Sequence, residues 1–277
     1  MLGSTGLPMR REDAFISTAR LSELLGESGV RVVDTRLSLA DEEWGRREFE
    51  TAHVLGAVYA HWLHDLSDPD DPVQGQLAPP DLFRAAMEER GIGDDTLVIA
   101  YDDGVIFGAA RLLWCLRAYG HRHAWILEGG WPRWTDEGRP IESGASASPA
   151  NGVTFTPRPN PVIRATKEDV LGFLELGEGV LLDCRMNETW ESAAAHIPGA
   201  ERFPAPAVAQ MDESEIVAAA AALGADPDTP IVLYCGGGVS ASLGFAALER
   251  AGYKNLRVYD GSWSEWGADP ATAKESH

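Results

Sequence analysis

Short apolar runs and longer segments of mixed polarity follow one another along this chain. Six short runs are continuously apolar and rich in β-branched residues, which is typical of strands buried on both faces. Longer segments between them predict helices. Strands that alternate with helices predict a mostly parallel sheet with helices on both faces, which is an α/β fold. The strand runs are residues 30–35, 96–101, 124–129, 179–184, 230–235 and 255–260, and the main helical segments are 80–90, 108–119, 214–223 and 241–251.

The same features occur twice in the same order. Residues 32–36, 53–57, 97–102 and 128–134 match residues 181–185, 196–200, 230–235 and 260–266. The offsets are 149, 143, 133 and 132, so they shrink along the chain as expected if the first copy has longer loops. The repeat predicts two tandem copies of one fold. We place the first domain at residues 1–140, a linker rich in Ser, Ala, Gly and Pro at 141–161, and the second domain at 162–277.

Charge and cysteine usage narrow the classes of function. The formal net charge of −20 disfavours nucleic acid and anionic membranes as partners. No stretch approaches 18 apolar residues, and the N-terminus lacks the apolar core of a signal peptide. The three cysteines are far apart and have no metal-ligand spacing, so no metal site is predicted. We therefore expect free thiols in a reducing, cytoplasmic setting.

A cysteine ends one predicted strand of the second copy and precedes a run of three glycines and a helix. Ligands of parallel sheets bind at the carboxyl ends of strands. Glycines let successive backbone N–H groups point inward, and the helix N-terminus adds partial positive charge. This arrangement predicts a lowered thiol pKa and a pocket for a persulfide. The nucleophile is Cys235, and the residues predicted to surround its sulfur are Gly236, Gly237, Gly238, Val239, Ser240 and Ala241.

The combination of these motifs resembles the tandem-domain rhodanese-like sulfurtransferases, the thiosulfate and 3-mercaptopyruvate sulfurtransferase family. The resemblance rests on the loop CGGGVSA, the repeated HxxGA segments, the paired Asp-x-Arg and the terminal YDGSWSEW, and it covers nearly the whole chain. It implies an enzyme that moves sulfur from a small donor to a thiol or cyanide acceptor, with a thioredoxin-like protein as one candidate. Cys235 would carry the sulfur, and no cofactor is implied.

The resemblance extends to residues outside the loop. Asp102 stands at the nucleophile position of the first copy, which implies a catalytically silent first domain. His53 is implied as a group that helps to protonate the leaving enolate, and Arg185 as a contact for the anionic donor. Both also have structural interpretations, His53 as a turn residue and Arg185 as a tie to a strand end. Cys115 and Cys184 are expected in the core.

The donor-binding pattern departs from that of the family. Relatives that use mercaptopyruvate carry Ser or Thr at the position of Gly237 and an arginine shortly after that of Arg185, and both are missing here. Thiosulfate-type relatives carry Arg and Lys in the loop, which is neutral here. A neutral loop favours the monoanion 3-mercaptopyruvate over the dianion thiosulfate.

A persulfide carrier without turnover, or a regulatory binding module, is the alternative. A phosphatase-type loop is disfavoured because its arginine position holds Ala241.

Overall fold

The computed structural model describes residues 14–145 and 152–276, which form two α/β units of the same design. The middle of the predicted linker lies outside the described residues. The first unit contains β1 (Phe15–Ile16), α1 (Thr18–Leu24), β2 (Val30–Asp34), α2 (Trp44–Thr51), β3 (His53–Val54), β4 (Val58–Tyr59), α3 (Pro80–Glu89), β5 (Leu97–Tyr101), α4 (Phe107–Ala118), β6 (Ala124–Leu127), α5 (Gly130–Asp136) and β7 (Ile141–Glu142).

The second unit follows the same plan. It contains β8 (Arg164–Ala165), α6 (Lys167–Leu176), β9 (Val180–Asp183), α7 (Asn187–Ser192), β10 (Ala195–His196), β11 (Glu201–Arg202), α8 (Ala205–Val208), α9 (Glu213–Ala222), β12 (Ile231–Tyr234), α10 (Val239–Arg250), β13 (Leu256–Tyr259), α11 (Ser262–Ala268) and β14 (Glu275–Ser276). All six predicted strands and the four main predicted helices are present, with ends shifted by one or two residues.

The two central sheets have the same strand order. The first runs β4-β2-β5-β6-β1 and the second β11-β9-β12-β13-β8, and every neighbouring pair in both sheets is parallel. The register is also shared, because Asp34 pairs with Tyr101 in the first sheet and Asp183 with Tyr234 in the second. A small antiparallel pair flanks each sheet, β3 with β7 and β10 with β14. The predicted α/β fold, with two tandem copies of one design and a parallel central sheet in each, is confirmed.

Local sequence signals define several helix starts. Thr166 and Asp169 form a reciprocal capping box at α6, and Asp212 and Glu215 form another at α9. Proline occupies the first position of α3, where its missing N–H costs nothing. These caps satisfy backbone N–H groups that no intrahelical carbonyl can reach.

A shared core joins the two units. The largely buried helices α4 and α10 pack on each other, and one continuous apolar cluster contains residues from both domains, including Trp114, Cys115, Cys235 and Phe245. Separate clusters fill the opposite face of each sheet, built around Trp134 in the first domain and Trp266 in the second. The loops that precede α4 and α10 are thereby brought to the domain interface.

Parts of the predicted linker pack on the first domain. The strand β7 pairs with β3, and the Phe155 ring lies 5.5 Å from that of Phe83 in the core. Asp94 also binds the backbone N–H and the hydroxyl of Thr156. Within the described ranges, no helix is long and apolar enough to cross a membrane.

Candidate active site

The Cys235 sulfur lies where β12 ends, beneath the first turn of α10. The Gly238 N–H donates to Sγ at 3.1 Å, and the Gly237 and Ala241 N–H groups also act on the sulfur. Gly238 has φ +87°, a left-handed conformation that turns its N–H inward and starts the helix. The thiol residue is only 2% exposed. Of the six residues predicted to surround the sulfur, Gly238 donates a hydrogen bond to it, and the N–H groups of Gly237 and Ala241 also favour its charged form.

Burial dominates the electrostatics of this thiol. Loss of solvent raises the pKa of Cys235, whereas the N–H groups of Ala241, Gly237 and Gly238 and the Ser262 hydroxyl lower it, and the net shift is upward. The expectation of a lowered thiol pKa is therefore wrong for the unmodified site. The amides offset only part of the cost of placing a charge in a buried position.

The loop is fastened from below by the first turn of α11. The N–H groups of Trp263 and Ser264 donate to the carbonyls of Cys235 and Gly236 at 3.0 and 2.9 Å. The Ser262 hydroxyl accepts the Cys235 N–H at 3.0 Å and donates to the Tyr259 carbonyl at 2.8 Å. These bonds satisfy the carbonyls of Cys235 and Gly236 and hold the backbone of the loop in place.

The first domain forms one wall of the site. A Cβ placed on Gly75 would lie 3.2 Å from the Gly237 carbonyl, and one placed on Gly237 would lie 3.4 Å from the Gln74 carbonyl. Asp260, the residue after β13, accepts the Leu77 N–H at 2.7 Å and pairs with Arg111 at 2.8 Å. The remaining predicted loop residues, Val239 and Ser240, begin α10 and are half-buried.

Asp102 fills the equivalent cradle of the first domain with its own carboxylate. Its oxygens accept N–H groups from Gly104 and Ile106 at 3.0 Å and from Ala109 at 3.3 Å. Ile106 precedes α4 as Gly238 precedes α10, and Ala109 corresponds to Ala241. The same amide positions thus serve a carboxylate in one domain and a sulfur in the other. Burial and the neighbouring Asp103 raise the pKa of Asp102 to about 7.

Arg185 is tied to its own strand end. Its guanidinium is buried on Asp183, within 3.0 Å, and lies over the rings of Trp190 and Trp263. Arg36 makes the same arrangement with Asp34 and Trp131 in the first domain. Because the first domain, which has Asp102 at the position of Cys235, repeats this arrangement, the structure favours the structural role of Arg185 over a donor contact.

His53 is likewise fully engaged within the first domain. Its Nδ1 is 2.7 Å from the Phe49 carbonyl, its Nε2 is 3.3 Å from Glu142, and its ring stacks on Phe49. His196 stands beside Glu275 in the second domain as its counterpart. These contacts favour the interpretation as a turn residue over a role in protonating an enolate.

The other two cysteines are core residues. Burial raises the pKa of Cys115 to about 12 and raises that of Cys184 well above its usual value. All three cysteines are free thiols. Cys235 therefore differs from the others in that backbone N–H groups of a loop point at its sulfur.

One group of potential metal ligands occurs among the described residues, in the first domain. Ligand atoms of Glu42, Glu43, His61 and His64 lie within 4.8 Å of one another. Both ring nitrogens of His61 are already used, Nε2 toward the Glu42 carbonyl and Nδ1 as an acceptor from two backbone N–H groups. The group does not enter the chemistry below.

Three polar residues of the site were missed by sequence reasoning: Arg111, Asp260 and Ser262. Asp260 and Ser262 lie in the repeated segment 260–266, which was used only as a sign of the repeat and of the family resemblance. Arg111 is the first residue of RLLWCLRAYG, a helical segment that is otherwise almost wholly apolar. A charge in such a segment must be paired when it is buried, and that signal could have identified it.

The fold and the site together define a two-domain protein with one thiol-bearing anion cradle. The model of the Rhodanese-like domain matches residues 17–137 and again residues 166–269. Over 269 residues the chain is 30% identical to 3-mercaptopyruvate sulfurtransferase of Escherichia coli (strain K12), which covers 92% of this chain and 95% of that protein. It is also 30% identical to the sulfur carrier protein TtuD of Thermus thermophilus, over 92% of this chain and 94% of that protein.

A solved structure agrees with these relatives. SseA from Escherichia coli, described as a 3-mercaptopyruvate sulfotransferase of the rhodanese fold, superposes with a TM-score of 0.82 at 29% identity, covering 91% of this chain and 100% of that one. The chain belongs to the rhodanese-like family. It is a sulfurtransferase of the thiosulfate or 3-mercaptopyruvate type.

The three loop glycines should tolerate substitution very differently. A Cβ on Gly238 would lie 2.7 Å from Asp260 Oδ1 and would sit on a left-handed backbone, whereas a Cβ on Gly236 meets nothing within 4 Å. Gly238→Ala should lose most sulfurtransferase activity and about 1–3 kcal/mol of stability, and Gly236→Ala should stay close to the parent. Activity and urea unfolding of both variants test this, and equal losses would contradict it.

Asp102 should make the first domain more stable in mild acid. Its folded pKa of about 7 lies above the unfolded value of about 3.9, so its contribution to stability is lost as pH rises through 7. Between pH 5.5 and 8.5 that loss is about 2 kcal/mol. Asp102→Asn should remove this component. The measurement is the urea unfolding free energy of parent minus variant at both pH values, and a constant difference would refute the assignment.

Proposed function

We propose that this chain transfers sulfane sulfur through a persulfide on Cys235, with 3-mercaptopyruvate as the preferred small donor and a thiol or cyanide as acceptor. The observation that carries the proposal is the ring of N–H groups aimed at Sγ, with Gly238 at 3.1 Å. A persulfide places negative charge on an outer sulfur, which N–H groups of this kind stabilise. The free thiols support a reducing, cytoplasmic setting.

The proposed reaction has two displacements. The Cys235 thiolate attacks the sulfur of mercaptopyruvate, an S–S bond forms, and the donor C–S bond breaks. The electron pair of that bond leaves on carbon as the enolate of pyruvate, which takes up a proton. An acceptor thiolate or cyanide then attacks the outer sulfur, and the S–S bond breaks to return the Cys235 thiolate. Each step conserves electrons, so no redox cofactor takes part.

The preference for mercaptopyruvate rests on charge. The loop CGGGVSA has no cation, and Arg185 is paired with Asp183. Each missing charged hydrogen bond costs about 1.5–3 kcal/mol, so the dianion thiosulfate would lose about 3–6 kcal/mol against a site with two cations. A monoanion needs one such contact. Arg164, whose side chain is 41% exposed and lies 3.5 Å from Asp260, supports a single cationic contact at this end of the sheet.

A persulfide carrier without turnover is the second candidate. It is supported by the neutral loop and by the similarity to a relative named a sulfur carrier protein. In that case Cys235 would accept sulfur from another protein instead of a small donor, and small-molecule turnover would be absent.

Cys235→Ser should abolish sulfur transfer and leave the fold intact, because the hydroxyl is isosteric but a far weaker nucleophile. After treatment with mercaptopyruvate, the peptide that carries Cys235 should gain about 32 Da, one sulfur atom, and this gain should be absent from the variant. Circular dichroism controls for folding. Sulfur found on Cys115 or Cys184 would overturn the assignment, and sulfur on Cys235 without turnover would favour the carrier.

Gly237→Ser should improve use of mercaptopyruvate. Gly237 is not in the left-handed region, and its nearest neighbour for a Cβ is the Gln74 carbonyl at 3.4 Å, so the side chain fits. One neutral hydrogen bond to the donor is worth about 0.5–1.5 kcal/mol, or about 2–10-fold in kcat/KM. Gly237→Ala, with the same Cβ and no hydroxyl, is the control.

The parent enzyme should itself have a higher kcat/KM for mercaptopyruvate than for thiosulfate, at matched pH and low salt. The physical reason is the lack of cations in the loop. Steady-state kinetics with both donors provides the measurement. A higher kcat/KM for thiosulfate would defeat the charge argument.

A further inference from the structure

A buried arginine of the silent domain reaches into the catalytic domain. Arg111 lies on α4 with its side chain fully buried, and its Nη1 is 2.8 Å from Asp260 Oδ1, whose carboxylate is 1% exposed. Its Nη2 donates to the Gly75 carbonyl, and its guanidinium lies 4.6 Å from the centre of the Trp114 ring. The ion pair therefore links α4, the first-domain wall and the strand end next to the nucleophile.

This ion pair lies directly against the residue that aims an N–H at the sulfur. A Cβ on Gly238 would be 2.7 Å from Asp260 Oδ1 and 3.4 Å from Arg111 Nη1. The position of Gly238 is therefore fixed by the carboxylate and the guanidinium. Displacement of either group would let the Gly238 N–H turn away from Cys235.

The repeat supplies an internal comparison. At the spacing of 132 residues that relates the later segments, Arg111 corresponds to Leu243 and Asp260 to Glu128. Leu243 is buried and apolar, and Glu128 is partly exposed and paired with Arg133 at 3.7 Å. The ion pair is therefore not a requirement of the fold. It is present beside the loop that carries the cysteine and absent beside the loop that carries Asp102.

We propose that Arg111 is a positioning residue for sulfur transfer, which holds Asp260 under Gly238 and neutralises that buried carboxylate beside the Cys235 loop. The proposal rests on the proposed function only in taking Cys235 as the reacting thiol. A buried ion pair is weak evidence for stability, because the loss of hydration offsets the attraction. Because the Arg111–Asp260 pair lies under the loop, its role is to position the loop.

The charges around Cys235 agree with this assignment. Burial lowers the pKa of Arg111, but Asp260 and the thiols of Cys115 and Cys235 raise it, and the net shift is upward. The guanidinium therefore stays charged and offsets the negative charge of Asp260 beside the Cys235 loop. The titratable and charged groups on the elements packed against that sulfur are Arg111 and Cys115 on α4, Arg164 on β8, Asp183 and Cys184 at the end of β9, and Asp260 after β13.

The test is the pH dependence of Cys235 alkylation by iodoacetamide in the full-length protein, followed on the peptide that carries Cys235. Arg111→Met keeps the length of the side chain and removes its charge. We expect it to raise the apparent thiol pKa by about one unit, so that alkylation at pH 7 falls about tenfold. Arg111→Lys, which retains a charge, should restore most of the rate, and the neutral Arg111→Gln should not.

Arg117→Met is the matched control. Arg117 is on the same helix, is also buried, and pairs across the same interface with Glu249 at 3.4 Å, but its contacts lie away from the loop. It should lower the melting temperature and leave the Cys235 titration unchanged. If Arg111→Met and Arg117→Met shift the titration equally, or neither does, the positioning role is wrong.

The test gives a result even if one variant fails to fold or if Cys235 forms no persulfide. If Arg111→Met does not fold, the comparison of Arg111→Lys with Arg111→Gln answers the same question, and equal titrations for these two would overturn the proposal. Alkylation needs no sulfur donor, so its result is independent of whether Cys235 forms a persulfide. A failed persulfide assay would therefore refute the proposed function without producing the alkylation result that refutes the role of Arg111.

Discussion

Burial of the Cys235 sulfur is the constraint on which the rest of the site depends. A charged sulfur in a nearly inaccessible position is costly unless dipoles point at it. The loop meets this demand with backbone N–H groups, which requires the left-handed turn at Gly238 and a set of partners for the loop carbonyls. The partners of the loop carbonyls lie on α11. Gly238 lies against Asp260, which pairs with Arg111 of the first domain.

The duplicated fold separates scaffold from chemistry. The Asp-x-Arg pairs, the buried tyrosines at the strand ends and the histidines beside Glu142 and Glu275 occur in both domains. Because both domains contain them, whether the cradle holds a thiol or a carboxylate, they belong to the fold. The features that differ are few: a thiol in place of the Asp102 carboxylate, glycine in place of Ile106, and an ion pair under the loop. These differences identify the groups that sulfur transfer requires.

Much of this architecture could be predicted from the sequence. Continuous apolar runs identified the central strands, and the repeat identified two copies of one fold. The glycine run after a strand identified the loop and its amides. The predicted direction of the Cys235 pKa shift was wrong. The shift depends on how deeply the thiol is buried, which is set by the packing of α4 against α10 and is not visible in any local pattern. Arg185 and His53 were placed near the chemistry through family resemblance, whereas their partners in the structure are local.

Interdomain contacts were the least predictable part. The Arg111–Asp260 pair joins residues 149 positions apart, and no motif in the sequence links the two positions. The pairing depends on how the two domains face each other across their shared core, which no local sequence pattern shows. The first domain has Asp102 at the position of the cysteine, yet it contributes a wall of the Cys235 site and the guanidinium that pairs with Asp260.

The most direct test of this account is a crystal structure of the protein after incubation with 3-mercaptopyruvate. The account predicts additional density for one sulfur on Cys235, within hydrogen-bonding distance of the N–H groups at the start of α10, with the Arg111–Asp260 pair intact below it. An outer sulfur that points away from these N–H groups, or one that is bound to another cysteine, would contradict it.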